Sequence, residues 1–412
     1  MKALLFLCLF GFAVVPATAQ TITPQQFRED YAYFWQTIRD NYSYWHNKAT
    51  IWSRVKEHYA AQLDTITTRR SFVALLEQTF YELYDHHASL NTNTPESQRL
   101  VPSGTDVWAE YVDDKPLITE VRRDYGAWKA GIRPGMEVVA VNKVPVAQAL
   151  EPFLPKSLSC ADPKAKAYAL RVLLAGRHAE KRVFTLKDAR GQKEYFPDAN
   201  GTINDYGYTG HLESKVYEGG IGYLRINNSL GNNDLIPLFD SVLNTLMNIS
   251  ALILDLRETP GGGNTTVARA ILGRFITKEG FYQAHELTAE EQAYGIKRSW
   301  KEIVSPRKNP YTKPLVVLVN HWTGSVGEGI AIGFDALKRA TIIGTRMAGL
   351  NGANYSYQMP NTKIGFSFPA EKLFHVDGTP RESFVPPVLV KPTASNRDEI
   401  LDRALQHLKG RK

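Results

Sequence analysis

Past about residue 200, short runs of wholly apolar residues alternate with amphipathic stretches, and this alternation restricts the fold more than any other feature of the chain. "GGIGYLRINN", "ALILDL", "PLVVLV" and "ATIIG" read as strands; "NNDLIPLFDSVLNTLMNI", "TTVARAILGRFI" and "GEGIAIGFDAL" read as helices. A strand that is apolar at every position must be covered on both faces, and strands joined through helices run parallel. The expected architecture over residues 199–412 is therefore an α/β domain with a largely parallel sheet covered by helices. Sites in such sheets form beyond the carboxyl ends of the strands. Two loops fall there: "RETPGGGN" (257–264) and "HWTGS" (321–325).

The rest of the chain has a different texture. Residues 20–100 form a region of amphipathic helical patterns, opened by Thr23-Pro24-Gln25-Gln26, a capping-box sequence with proline at the first helical position. Residues 101–198 are short strands such as "VWAEYV", "PLITEV" and "MEVVAVN", which predict a small β-rich domain. Ahead of both, "MKALLFLCLFGFAVVPATA" (1–19) has one positive charge, an apolar run and Ala17-Thr18-Ala19, the pattern of a cleaved export signal. The expected location is periplasmic or secreted. Removal of that segment takes Lys2 and Cys8, leaving 48 basic against 42 acidic residues and Cys160 as the only cysteine. A single cysteine cannot form an internal disulfide, so core burial alone has to hold the exported chain. The charges are interspersed, which gives no support to nucleic-acid binding. No later apolar segment reaches the roughly 20 residues that span a bilayer, so the mature chain is expected to be soluble.

Ser325 stands between Gly324 and Gly327 at a strand-to-helix junction. Small neighbours leave its hydroxyl approachable, and helix N-terminal amides favour the negative charge that develops in acyl transfer. Serine is also a common helix cap, and Thr323 spoils the G-x-S-x-G nucleophile elbow. The three glycines 261–263 can turn amides toward an oxyanion, while neither phosphate-loop pattern can be laid on them. No cofactor or metal is implied.

Taken together, "YLRI", "ALILDLRETPGGG", "PLVVLVNHWTGSVGEGIA" and "ATIIGT" resemble the C-terminal-processing and tail-specific serine peptidases across roughly residues 215–350. That resemblance implies a crotonase-like catalytic domain. It makes Ser325 the nucleophile, Gly261 or Gly262 one oxyanion-hole donor and the Val326 amide the other. "AGIRPGMEV" (130–138) resembles the core of a PDZ domain, a module that takes extended peptides at a sheet edge, with Met136 in place of the usual Asp and Lys143 in place of the usual Gly. The alternative for that segment is a spacer or lid.

One departure redirects the assignment. The tail-specific branch draws its general base from a lysine, and Leu350 occupies that place; Arg346 is no substitute, because guanidinium is not deprotonated. A second branch of the family, that of the tricorn core protease and the interphotoreceptor retinoid-binding protein repeats, has a histidine base ahead of the PDZ segment and a glutamate near the C-terminus. "DHHASL" (85–90) then gives His87 as base, with His86 its rival, and "DGTPRES" (377–383) gives Glu382 as orienter, with Asp377 its rival. A serine hydroxyl needs an adjacent base near neutral pH, imidazole has the suitable pKa, and a carboxylate can fix its tautomer. The expected function is an exported serine peptidase acting on peptide or protein substrates through a Ser325–His87–Glu382 triad. A non-catalytic binder of hydrophobic ligands or peptides on the same fold, or an esterase with the same triad, is the alternative. Asp255 and Arg257 are expected to hold the glycine loop.

Overall fold

A computed structural model describes residues 22–410; the segment 1–19, expected to be an export signal, lies outside the described residues. Helices α1 (Pro24–Asn41), α2 (Trp52–Asp64) and α3 (Arg69–Tyr81) make up the N-terminal region, followed by the two-residue strand β1 (Ser89–Leu90). The capping box at Thr23 is formed: its hydroxyl accepts from the Gln26 amide at 3.2 Å, and Gln26 Oε1 accepts from the Thr23 amide at 2.9 Å. The apolar stripe of α1 does not close on α2 and α3 alone. Phe34 meets Phe80 edge-on at 5.0 Å and Phe366, from the far end of the chain, at 4.9 Å. Helices α1 to α3 are thereby built onto the last domain, because three short helices cannot bury their aromatic faces among themselves.

The middle unit comprises β2 (Val107–Val112), β3 (Lys115–Val121), α4 (Gly126–Lys129), β4 (Glu137–Val141), β5 (Val144–Pro145), α5 (Val146–Ala149), α6 (Pro163–Ala175), β6 (Phe184–Asp188) and β7 (Gly191–Tyr195). The sheet is antiparallel throughout, in order β2-β3-β4-β6-β7 with β5 on β4. Its core sets Ile118, Val138, Phe184 and Leu186 against Leu170 and Leu174 of α6. Buried Arg182 bridges Asp106 (2.8 Å) and Asp198 (2.7 Å), so each charge is compensated out of water.

The remaining elements are β8 (Leu212–Tyr217), β9 (Ile221–Ile226), α7 (Leu235–Thr245), β10 (Ala251–Asp255), α8 (Thr265–Gly273), β11 (Gly280–Leu287), α9 (Thr288–Tyr294), β12 (Arg298–Val304), β13 (Leu315–Val319), α10 (Val326–Ala336), β14 (Thr341–Gly344), β15 (Ala353–Gln358), β16 (Gly365–Phe374), β17 (Val388–Leu389) and α11 (Glu399–Lys409). One sheet runs β17-β14-β13-β10-β9-β8, parallel at every pairing except β8–β9. Leu252 and Leu254 of β10 face the core with α7, α8 and α10, while Ile253 between them faces Ile400, Ala404 and Leu408 of α11. Burial on both faces is why these strands read as unbroken apolar runs.

A second sheet, in order β1-β16-β11-β12 with β15 on β16, has no counterpart among the sequence expectations. Here β1 pairs antiparallel with β16 in the register Ser89↔Ser367 and Leu90↔Phe366. That pairing carries residues 85–88 toward the glycine and serine loops. The mixed α/β class expected from the alternation is what the chain adopts. Among the described residues no helix is long and apolar enough to cross a membrane.

Candidate active site

The glycine loop after β10 and the serine loop after β13 prolong the parallel pairing of their strands. Thr259 and Thr323 form a parallel bridge, and the Gly324 amide donates to the Thr259 carbonyl at 3.3 Å. Ser325 follows at the N-terminus of α10 with φ +52°, a left-handed conformation that costs a non-glycine residue of order 1–3 kcal/mol and persists only under surrounding constraint. The constraint is Glu328, which is fully buried and accepts the Ser325 amide at 2.8 Å and the Gly349 amide at 2.9 Å. Burial raises the Glu328 carboxyl to about 7, against the opposing pull of Arg381 at 3.9 Å. This residue escaped the sequence expectations, although Ser325-Val326-Gly327-Glu328 has capping-box spacing.

Gly262 lies against the serine. Its φ is +64°, and a Cβ placed there would sit 2.6 Å from Ser325 Cβ and 3.0 Å from Ser325 Oγ. Of the amides expected to bind an oxyanion, Gly261 donates to Asn228 Oδ1 at 2.7 Å and Gly262 to the Thr259 carbonyl at 3.3 Å. Val326 is the first residue of α10, where amides lack an intrahelical acceptor. Arg257 pairs with Asp255 (2.6 Å) and with Asp398 at the start of α11 (2.7 Å), and Tyr223 donates to Asp255 at 2.8 Å. They brace the loop from beneath.

His87 and Ser325 line one cavity of about 480 Å³. The ring is held at Nδ1, 2.6 Å from the Asn351 carbonyl oxygen. A carbonyl can only accept, so Nδ1 carries the proton and Nε2 is left with its lone pair. Burial lowers the His87 pKa to about 4, helped by the Arg381 charge, so the ring is neutral at physiological pH. The turn bearing it is fixed by Asp85, which accepts from the His87 amide (2.9 Å), the Tyr42 hydroxyl (2.6 Å) and Asn351 Nδ2 (2.7 Å). Among the described contacts His87 and Ser325 share a cavity without a direct hydrogen bond. His86 points the other way: it stacks on Tyr168 of the middle unit at 4.5 Å and accepts from Arg171 at 3.1 Å.

Glu382 lies in a short 3₁₀ turn, Arg381–Ser383, and burial raises its carboxyl above the usual range. Its Oε2 is buried without a protein partner among the described residues, and the His87 Nδ1 position is taken by Asn351 instead. Asn351 escaped the sequence expectations: it meets the His87 ring through its backbone carbonyl and Asp85 through its side-chain amide. Arg381 spends Nη2 on the carbonyls of Leu350 (3.0 Å) and Gly352 (2.7 Å), which shapes the loop where the tail-specific branch has its lysine. Leu350 packs beside Gly324: its Cδ1 lies 3.3 Å from where a Gly324 Cβ would be. Asp377, the rival carboxylate, is exposed; the Thr379 amide and then His375 hold its carboxyl at about 2.

The middle unit is pinned to the same loops. Arg122 forms a buried pair with Glu258 of the glycine loop at 2.5 Å, and Glu120 takes His321 Nδ1 (2.5 Å) and the Thr345 hydroxyl (2.8 Å). Trp322 donates to the Thr105 carbonyl at 2.7 Å.

Residues 220–387 match the peptidase family S41 and residues 23–80 the tricorn protease C1 domain. Similar solved structures include mature CPAF (16% identity, 94% of this chain and 96% of that one, TM-score 0.61) and a photosystem II D1 C-terminal processing protease (17%, 93% and 97%, 0.56). A putative peptidase from Parabacteroides merdae is similar as well (16%, 93% and 96%, 0.54). At these identities the likeness is one of fold. By the family matches, the chain carries a serine-type peptidase domain of family S41 behind a tricorn-type C1 domain.

Proposed function

We propose that the chain is an exported serine peptidase that hydrolyses peptide bonds through an acyl-enzyme. The observation that carries this is His87: a neutral imidazole, held at Nδ1 by the Asn351 carbonyl, lining the same cavity as Ser325. Ser325 Oγ attacks the scissile carbonyl carbon as its proton passes to His87 Nε2. The tetrahedral oxyanion is received by the Val326 amide and by an amide of Gly261 or Gly262, which exchanges its present acceptor for the substrate oxygen. Collapse breaks the C–N bond, and His87 returns the proton to the leaving amine. Water then attacks the ester, again with His87 as base, and releases the carboxylic acid.

Glu382 is assigned as the carboxylate that stabilises the imidazolium, while the Asn351 carbonyl fixes the resting tautomer. The middle unit, PDZ-like in sequence, engages or gates an extended peptide, consistent with its contacts to Glu258 and His321. Export rests on the segment 1–19. The test is incubation with an unfolded protein such as reduced casein and identification of the products by mass. Proteolysis by the wild type and none by Ser325→Ala is expected. An active Ser325→Ala variant contradicts the assignment.

A further inference from the structure

The cavity beside Ser325 extends past the nucleophile onto the face of the second sheet. Ala268, Tyr282, Trp300 and Leu373 give it apolar surface, Thr265, Asn354 and Arg381 polar surface, and its floor is a polar cluster with no part in the chemistry above: Gln283, His285, Glu302 and Glu371. Both ring nitrogens of His285 face carboxylate oxygens, Nε2 at 3.1 Å from Glu302 Oε2 and Nδ1 against Glu371 Oε1, so both carry protons. The pKa directions agree: His285 is raised through its bonds to Glu302 and Glu371 despite burial, and Glu302 is held at about 2 despite burial, first by its bond to His285. Arg269 adds a second cation on Glu302, so two positive and two negative charges cancel.

The hydrogen-bond inventory is lopsided. Gln283 Nε2 donates to Glu302 Oε2 (2.9 Å) and to the Tyr282 hydroxyl (3.4 Å), and Tyr355 donates to Glu371 Oε2 (2.9 Å). With both His285 protons committed, every floor donor is used. The acceptor Glu302 fixes which way the Gln283 amide lies, so Oε1 is turned from it toward α10. A Cβ on Gly329 would lie 3.1 Å from that oxygen, and no donor of the described residues reaches it. What the floor offers a ligand is acceptors alone.

Taking Ser325 as the nucleophile of a peptidase, we propose that this cavity receives the side chain of a residue flanking the scissile bond and selects long side chains tipped with hydrogen-bond donors, glutamine, lysine or arginine, against aspartate and glutamate. The apolar surface packs the methylene stem, and the Gln283 acceptor pairs the tip. A carboxylate reaching that floor would meet only acceptors and remain unpaired; Arg381, the other cation of the lining, is turned to the Leu350 and Gly352 carbonyls and to Glu328.

The test is cleavage of a degenerate peptide library, with each cut bond located by mass spectrometry. At one position next to that bond, glutamine, lysine and arginine should be enriched about 10-fold or more over glutamate, in keeping with the strong discrimination of hydrogen-bonding sites. The enrichment should shrink several-fold in Gly329→Ala, which covers the acceptor, and in Gln283→Leu, which removes it, each first shown by urea unfolding to be folded. Relative enrichment of lysine over glutamine separates recognition of a cation from recognition of an amide. Cleavage without the enrichment, or enrichment unmoved in both folded variants, overturns the pocket assignment. Absence of both cleavage and Ser325 labelling by a fluorophosphonate instead overturns the peptidase reading on which the pocket rests.

Discussion

Replacing Gly262 by alanine should disable the nucleophile without unfolding the chain, and the structure sets the size of the effect. The new Cβ would sit 2.6 Å from Ser325 Cβ. Carbon atoms in contact prefer about 3.5–4.0 Å, so the glycine loop and the serine must part by about 1 Å. A misplacement of that order at a reacting atom costs about 100-fold in rate. Gly262 also has φ +64°, where a side chain costs about 1–2 kcal/mol. Gly219 serves as the control: its φ is +82° and nothing lies within 4 Å of its Cβ position. Gly219→Ala should show the backbone cost alone, about 1–2 kcal/mol in urea unfolding, with wild-type reactivity. Gly262→Ala should lose somewhat more stability and about 100-fold in the rate of fluorophosphonate labelling. Labelling of Gly262→Ala at the wild-type rate would refute the placement of this loop against the nucleophile.

Three further outcomes are expected. His87→Ala should abolish labelling, whereas His86→Ala, which removes a ring packed on Tyr168, should cost stability and leave labelling intact; labelling rates of the two variants decide it. The base must be neutral to act, and the folded His87 protonates only near 4, so labelling should hold steady as pH falls from 7 to 5 and drop below about 4. The unfolded histidine takes up its proton near 6.5, so between 6.5 and 4 the unfolded state binds more protons and the His87 contribution to stability falls as pH falls; urea midpoints at pH 7 and 5, compared with His87→Phe, measure it. Glu328→Gln keeps one acceptor for two amides, so one buried amide loses its partner at about 1–3 kcal/mol and the Ser325 backbone loosens. Unfolding midpoint and labelling rate should fall together.

The parallel sheet was legible because its strands are buried on both faces, which leaves an apolar signature needing no knowledge of partners. The second sheet was not. Its strands are partly exposed, and pairings such as Ser89↔Ser367 and Ala284↔Phe374 join segments 90 to almost 280 residues apart, with no tight turn to mark them. Helix α6 lies within the segment 101–198 expected to be β-rich, though Asp162, Pro163 and Gly176 bound it as cap, first residue and terminator.

The site divides along the same line. Ser325 and the glycine loop sit on the readable strands, so their neighbourhood follows from the parallel order. His87 reaches them only through β1 on β16, and the motif "DHHASL" named the residue without the geometry that delivers it. That geometry also separates His86 from His87, which adjacent positions in sequence cannot do. Asn351 contributes a carbonyl, and a backbone group leaves no trace in residue identity. Glu328 did leave one, in its spacing from Ser325. Burial of an acid at the N-terminus of α10 is a tertiary fact, set by Gly349 and Arg381 from a separate loop and turn.

The central claim is that Ser325 is a nucleophile activated by His87. Labelling the folded protein with a fluorophosphonate and mapping the adduct by peptide mass spectrometry tests it most directly. A single adduct on Ser325, absent from Ser325→Ala and from His87→Ala, is the predicted result; a folded wild type that takes no label, or carries it on another residue, would contradict the account.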